Sequence, residues 1–396
     1  MMISKIDISL PWVFVFFCFL KPAGFDLMGF TAINTFLNIA RIVCALIVFF
    51  IYINKGTHNR YLPYLLFYIL ACFISTYFGQ GNINLLFTFG GSIVSFALIW
   101  DIIPLKKLKT VMRSLLFVYM VLIIFSFFWM YQIVGFTINI EEYFTDEQLQ
   151  KVYFLSSSNG SASFFIPAMV CAILNLFISG KNSLLSWITL VFTYISGLII
   201  WSATSLVAET ALLGFAICYF WGLTHLFMNY LKYKVLLYIC LFVSIGITFF
   251  NIQYLFEFII VDILHKDLTM TGRATVMQNG FNAFYSSPFF GLGNFNKIVS
   301  TCDNCYAQIL GDTGLFGMIT FILLMFKAYE VLKKSYLNSI SYLFFIVFDL
   351  LLLMFVAEAW SQFFGLYVLL ILFSKTDMIQ YYIDSLSKKK KKYNCC

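Results

Sequence analysis

TGRATVMQNGFNAFYSSPFFGLGNF (residues 271–295) and, after a short variable piece, DNCYAQILGDTGLFG (residues 303–317) form the longest polar interruption in a chain of 396 residues. The background they interrupt decides the fold class. The chain is 62% hydrophobic and only 11% charged, with a mean hydropathy of +0.91, whereas soluble domains carry about 25% charged residues. This is the composition of an integral membrane protein.

Outward from the interruption, apolar segments run to about the 20 residues needed to cross a hydrocarbon layer of roughly 30 Å. They lie at about 8–20, 30–53, 61–78, 85–103, 114–134, 160–178, 184–201, 204–228, 234–256, 314–332, 340–358 and 362–380. The expectation is an all-α integral membrane protein, with residues 1–396 as a single polytopic domain of about twelve transmembrane helices. Residues 257–313 then form one large extracytoplasmic loop, and residues 381–396 a basic cytoplasmic tail.

Lys and Arg positions set the orientation, because positively charged loops stay on the cytoplasmic side. With the run Lys388 to Lys392 inside, the other inside segments hold Lys5; Lys55 and Arg60; Lys106, Lys107, Lys109 and Arg113; Lys181; Lys232 and Lys234; Lys333 and Lys334. Alternate loops hold only Lys21, Lys151, Lys266, Arg273 and Lys297, while collecting Glu141, Glu142, Asp146, Glu147, Asp262, Asp267, Asp303 and Asp312. An even number of spans with both ends inside fits this pattern. The net charge of +7 then follows from topology and attraction to anionic membrane lipids, and no nucleic-acid partner is implied. No small-residue cleavage site follows Cys18 or Leu20, so the first apolar run reads as an uncleaved helix.

Metal chemistry has no ligand set to work with. Cys302 and Cys305 form a C-x-x-C in the outer loop, but zinc needs about four ligands, and His58, His225 and His265 are scattered. No metal and no cofactor are expected. The cysteine pair reads either as a disulfide in an oxidising compartment or as unpaired spacers. A Walker A loop, a G-x-S-x-G elbow and an H-E-x-x-H helix are all absent from the sequence.

Ionisable residues inside spans cost several kcal/mol at the bilayer centre and are functional candidates by default. Arg41 sits in NIARIVCALIVFF, Glu209 in SLVAETALLG, Asp349 in FIVFDLLLLM, and Glu358 in VAEAWSQ at an outer end. Arg41 reads either as the partner of one of these carboxylates or as a direct substrate contact. Two further stretches, SSSNGSASFFIPA (156–168) and SATSLVAET (202–210), read either as capping and close helix packing or as surfaces that hold something polar.

Order along the chain adds a resemblance. Ser158-Asn159-Gly160, Thr204-x-Leu206, Gly272-Arg273, Pro288-x-x-Gly291-x-Gly293, Asp303-Asn304 with Tyr306 and Gln308, and Gly314-Leu315-x-Gly317 follow one another. In this order they resemble the O-antigen polymerase and O-antigen ligase family, over roughly residues 150 to 330. The resemblance implies a metal-independent, multi-pass glycosyltransferase of the bacterial inner (cytoplasmic) membrane. Its substrate would be oligosaccharide carried on undecaprenyl pyrophosphate at the outer face, for an O-antigen (lipopolysaccharide) or a capsule, with a chain-length regulator protein as a further partner. Polymerase members join repeat units; ligase members pass the finished chain to another acceptor. Where the ligase pattern often has His-Asn this chain has Asp303-Asn304, and where it often has Ser-Arg this chain has Ser205-Leu206. Asp-Asn looks more like the polymerase branch, and the loss of the arginine leaves Arg41 or Lys266 to supply any further cation. The alternatives are a ligase and a non-enzymatic flippase for lipid-linked sugars.

The chemistry can also be argued from residue types. Breaking a sugar–pyrophosphate bond develops negative charge on the leaving group, which a guanidinium binds in a planar fork. Arg273 suits that catalytic role, or else pairs with Asp262, Asp267 or a lipid phosphate. Asp303 reads as the base that takes the acceptor hydroxyl's proton, as a sugar-hydroxyl contact, or as a helix cap, a role Asp312 fills equally well. Arg41, Asn159, Lys266, Asn304, Tyr306 and Gln308 complete the expected substrate-binding set. Pro288, Gly291, Gly293, Gly314 and Gly317 read as shape-givers for turns and close backbone approach.

Overall fold

The computed structural model describes residues 7–22, 24–27, 29–56, 60–132, 136–138, 150–152, 154–156, 160–200, 202–224, 233–250, 252, 257–258, 273–299, 302–334 and 339–394. In chain order the helices are α1 (Leu10–Phe19), α2 (Gly24–Leu27), α3 (Thr31–Lys55), α4 (Leu62–Phe78), α5 (Ile83–Ile102), α6 (Leu108–Gln132), α7 (Ala162–Ser179), α8 (Leu184–Ile200) and α9 (Ala203–Trp221). They continue as α10 (Tyr233–Phe250), α11 (Arg273–Ser286), α12 (Cys305–Lys334), α13 (Ser339–Ala357), α14 (Phe364–Ser374) and α15 (Thr376–Asn394). A small antiparallel pairing, Phe136–Ile138 with Gln150–Val152, is the one strand ladder among the described residues.

The protein is α-helical, and seven described helices are long and apolar enough to cross a membrane: Thr31–Lys55, Ile83–Ile102, Leu105–Phe128, Ala162–Ser179, Thr204–Trp221, Cys305–Lys333 and Ile340–Ala357. Shorter apolar helices occupy Leu10–Phe19, Leu62–Phe78, Leu184–Ile200, Lys234–Phe250 and Phe364–Ser374, so each expected apolar segment contains a helix. Local chemistry sets several ends. Pro11 and Pro63 sit in the first turns of α1 and α4, where the missing N–H is not needed. Gly56 and Gly222 close α3 and α9 in the left-handed region, which suits a residue without Cβ.

Two segments differ from the sequence expectation. The last apolar stretch, expected to run to 380, ends at Ser374, and α15 begins at Thr376. Lys375 and Asp377 bring charge into what would be the span's second half, and the pattern turns amphipathic there. Within the expected loop 257–313, residues 273–286 form α11 and residues 305–313 already belong to α12.

The chain divides into two compact units. Unit 1 comprises residues 1–57, 98–223 and 377–396. In it α6 packs on α1, α7 and α8, and α7 also packs on α9. α7 is buried along nearly its whole length, with Asn175 donating to Ser183 Oγ (2.9 Å) and Ser186 Oγ (2.8 Å). α3 is the opposite case: Phe36, Ile39, Ile42, Leu46, Ile47 and Phe50 are all exposed. A face this apolar is suited to lipid, not water.

Unit 2 comprises residues 58–97 and 224–376. α12 is its centre, packing on α4, α11, α13 and α14, while α10 packs on α13. α4 and α12 run antiparallel: Tyr68 meets Phe321 (centroids 5.4 Å apart), Phe67 meets Phe316 (6.1 Å), and Lys327 lies 5.4 Å from the Tyr64 ring.

Candidate functional site

α12 is broken near its first third. Gly314 has φ 62 and ψ −161, which stops the helical ladder inside an otherwise continuous helix. The segment Pro288–Asn294 fills the break. Leu315 N donates to Pro288 O (2.8 Å) and Phe316 N to Phe289 O (3.2 Å), while Leu292 N donates to Gly311 O and Gly293 N to Asp312 O, both at 2.8 Å. On its other side the segment accepts Gln80 N at Leu292 O (2.7 Å) and Asn82 N at Asn294 O (2.9 Å).

Glycine is required here by space as much as by torsion. A Cβ on Gly291 (φ +67) would lie 2.5 Å from the Asp312 carbonyl carbon, and one on Gly293 (φ +90) 2.7 Å from Gly81 N. Asn294 then locks the segment to α4, its N–H donating to Thr76 Oγ1 (3.0 Å) and its Nδ2 to Cys72 O (3.3 Å). Phe295 follows with φ 58, a left-handed conformation that costs an L-residue roughly 1–2 kcal/mol.

On the face of α12 before the break, Asn304, Gln308 and Asp312 recur at four-residue spacing and are 2%, 0% and 2% exposed. Residues four apart share one helix face. Asn304 is the cap: its Oδ1 accepts Ala307 N (3.0 Å), and its Nδ2 donates to Thr248 Oγ1 (3.1 Å) and Val356 O (3.2 Å). The cap role read for Asp303 or Asp312 therefore belongs to Asn304, because the helix begins nine residues before Gly314.

The other two side chains are only half-satisfied. Gln308 Oε1 accepts Ser361 Oγ (2.8 Å), but its Nε2 has no partner among the described residues. Asp312 Oδ2 accepts a long contact from Gln362 Nε2 (3.5 Å), but its Oδ1 has no partner among the described residues. Ser361 and Gln362 belong to the short turn Trp360–Gln362 between α13 and α14, whose backbone is held by Tyr367 OH donating to Ser361 O (2.8 Å). A buried polar atom without a partner costs about 1–3 kcal/mol, so an unpartnered donor and an unpartnered acceptor one turn apart need an explanation such as a ligand. Beside them a cleft bounded by Tyr68, Cys72, Phe89, Asn294, Ser361 and Gln362 has a volume of about 10 Å³. That is room for about one water, not a sugar ring.

The expected site residues distribute unevenly over this geometry. Asn304 and Gln308 lie in the polar file; Tyr306 faces away, its OH donating to Leu352 O (3.5 Å) and its ring meeting Phe355 (5.7 Å). Asp303 is half-buried, one residue before the cap. Arg273 is the first residue of α11, two turns before Gly280, where α11 touches Ala307 of α12 so closely that a Cβ would lie 2.7 Å from its carbonyl oxygen. Asn159 and Lys266 lie outside the described residues. In unit 1, Arg41 Nη2 donates to Asn38 Oδ1 (3.1 Å), and the row continues through Asn34 to Lys21. Glu209 accepts from Ser205, so these two intramembrane charges do not pair with each other.

Sequence reasoning missed Ser361 and Gln362 and misjudged Asp312. The signal was present in the polar string Glu358-Ala-Trp-Ser-Gln362, but a break inside an apolar run carries no direction, and only the packed structure places it against α12. The C-x-x-C cysteines are both free thiols and fully buried. Burial pushes the Cys302 thiol up to about 12, so it stays protonated and is a poor metal ligand. No cluster of three or more His, Cys, Asp or Glu side chains occurs among the described residues. Compared with known proteins, the chain matches no family model and no curated protein.

Proposed function

We propose that the chain polymerises oligosaccharide repeat units carried on undecaprenyl pyrophosphate, as a metal-independent glycosyltransferase at the outer face of a bacterial inner membrane. The observation that carries this reading is the pair of buried, half-satisfied side chains Gln308 and Asp312, braced by the glycine-rich segment through which the sequence resembles polysaccharide polymerases. Sugar hydroxyls both donate and accept, so an orphan amide donor beside an orphan carboxylate oxygen suits them. In this reading the chain has twelve spans with both ends inside, and this end of unit 2 faces outward, in line with the Lys and Arg bias of the loops. Arg273 then binds the pyrophosphate leaving group, and Asp303 or Asp312 takes the acceptor hydroxyl's proton. To admit a glycan, the Trp360–Gln362 turn gives way, since the cleft as it stands fits only a water.

A strain deleted for this protein and complemented with wild type or with Asp312→Asn tests the reading, with surface glycan resolved by size. A ladder with wild type, single units with the deletion and with an equally accumulating Asp312→Asn protein, is the expected result. Units retained on the inner face in the deletion would instead indicate a flippase, and complete ungrafted chains a ligase.

A further inference from the structure

Away from the polar file on α12, the structure buries a carboxylate with nothing to bind. Asp349, midway along α13, is 1% exposed, and neither Oδ1 nor Oδ2 has a hydrogen-bond partner among the described residues. Its neighbours are Cys240 of α10 and Tyr342 of its own helix, both of which feel its charge.

The surroundings are ordered along one line. On α10, Cys240, Ser244 and Thr248 are four residues apart and share a face; on α13, Asp349, Leu352 and Val356 do the same at spacings of three and four. Ser244 Oγ donates to Leu352 O (2.6 Å), Tyr306 OH reaches the same carbonyl (3.5 Å), and Asn304 Nδ2 joins Thr248 Oγ1 (3.1 Å) to Val356 O (3.2 Å). The two helices thus run parallel, with Asp349 level with Cys240 and Val356 level with Thr248. Seven residues of helix put Asp349 about 10 Å along the axis from the Asn304 end. Between them lie the hydroxyls of Thr248, Ser244 and Tyr306.

We propose that Asp349 is a proton-binding site inside the membrane-spanning part of unit 2, exchanging its proton with the Asn304 end through those three hydroxyls. An isolated ionised carboxylate in such surroundings is costly, and hydroxyls, which donate and accept at once, are the side chains that pass protons on. Among the described side chains of the packed elements no cation is paired with it. Lys327 of α12 is bound to Glu330 (2.7 Å) beside Tyr64, and Lys234 and Lys333 are exposed at helix ends. Among the described residues the titratable groups on this region are Cys240 from α10 and Tyr342 from α13, with Tyr306 of α12 on the Leu352 carbonyl and Tyr329 of α12 against Phe345 and Phe348; α14 carries only Tyr367, whose OH is on Ser361 O. The site is independent of the polymerase reading and stands equally in a transporter.

The full-length protein in liposomes tests it. N,N′-dicyclohexylcarbodiimide, which enters lipid and modifies protonated carboxyls, is applied across a pH series and the adducts are mapped by mass spectrometry. The expected result is an adduct on Asp349 at low pH that is lost as pH rises; absence of the adduct at every pH overturns the proposal. In parallel, the infrared band of a protonated carboxylic acid is followed in D₂O. Its Asp349 component is expected to be lost in Asp349→Asn, the bands of buried Glu209 and Asp312 remaining, and to exchange more slowly in Ser244→Ala. A band whose intensity is unchanged in Asp349→Asn overturns the site, and unchanged exchange of the Asp349 component in Ser244→Ala overturns the route.

Discussion

Gly291 shows how little freedom single positions of this chain have. With φ +67 and the Asp312 backbone 2.5 Å from a would-be Cβ, Gly291→Ala meets torsional strain of about 1–2 kcal/mol before any overlap is counted. Thermal unfolding in detergent should fall well below wild type. Gly214→Ala, in a helix interior with nothing within 4 Å, should hold or gain up to about 1 kcal/mol; equal behaviour of the two variants would contradict the packing described here. Cys302 makes a second residue-scale prediction. Its thiol is raised from 9.0 to about 12, so the folded protein keeps the proton where an unfolded chain loses it. Its contribution to stability is therefore complete below pH 9 and declines as pH rises toward 12. Maleimide at neutral pH should label Cys302 only after denaturation. At this scale the glycines and Pro288 were legible, because torsion and backbone approach are local demands. The partners of Gln308 and Asp312 were not, because Ser361 and Gln362 come from a turn some fifty residues away.

Elements were read well wherever lipid sets the rule. A helix in hydrocarbon must be apolar over a fixed length, so the apolar runs and the helices coincide, including the separate α8 and α9 on either side of the turn at Ser202. The reading failed where a helix carries polar residues for another purpose. Residues 305–313 look like loop because Gln308 and Asp312 are polar, yet these face inward to other polar groups, and Asn304 starts the helix. Asn304→Ala removes the cap and both bonds to α10 and α13. It should cost about 1–3 kcal/mol, whereas Asn304→Asp, which keeps the capping oxygen but loses both donors, should fall between Ala and wild type. Unfolding midpoints of the three proteins check the order.

Across the whole molecule, composition determined the class, while the division into two units left no trace in the sequence. Unit 1 gathers three separate stretches of chain and unit 2 interleaves two, and nothing in hydropathy records which helix packs on which. Orientation is testable with single cysteines at exposed lysines. Lys297→Cys should react with an impermeant thiol reagent from outside spheroplasts, and Lys333→Cys only after permeabilisation. The most direct test of the functional account uses the purified protein in liposomes with lipid-linked single repeat units as the only substrate. The account predicts longer lipid-linked chains with release of undecaprenyl pyrophosphate, both lost in Asp312→Asn. Repeat units that stay single while wild-type protein remains folded and lipid-inserted would contradict it.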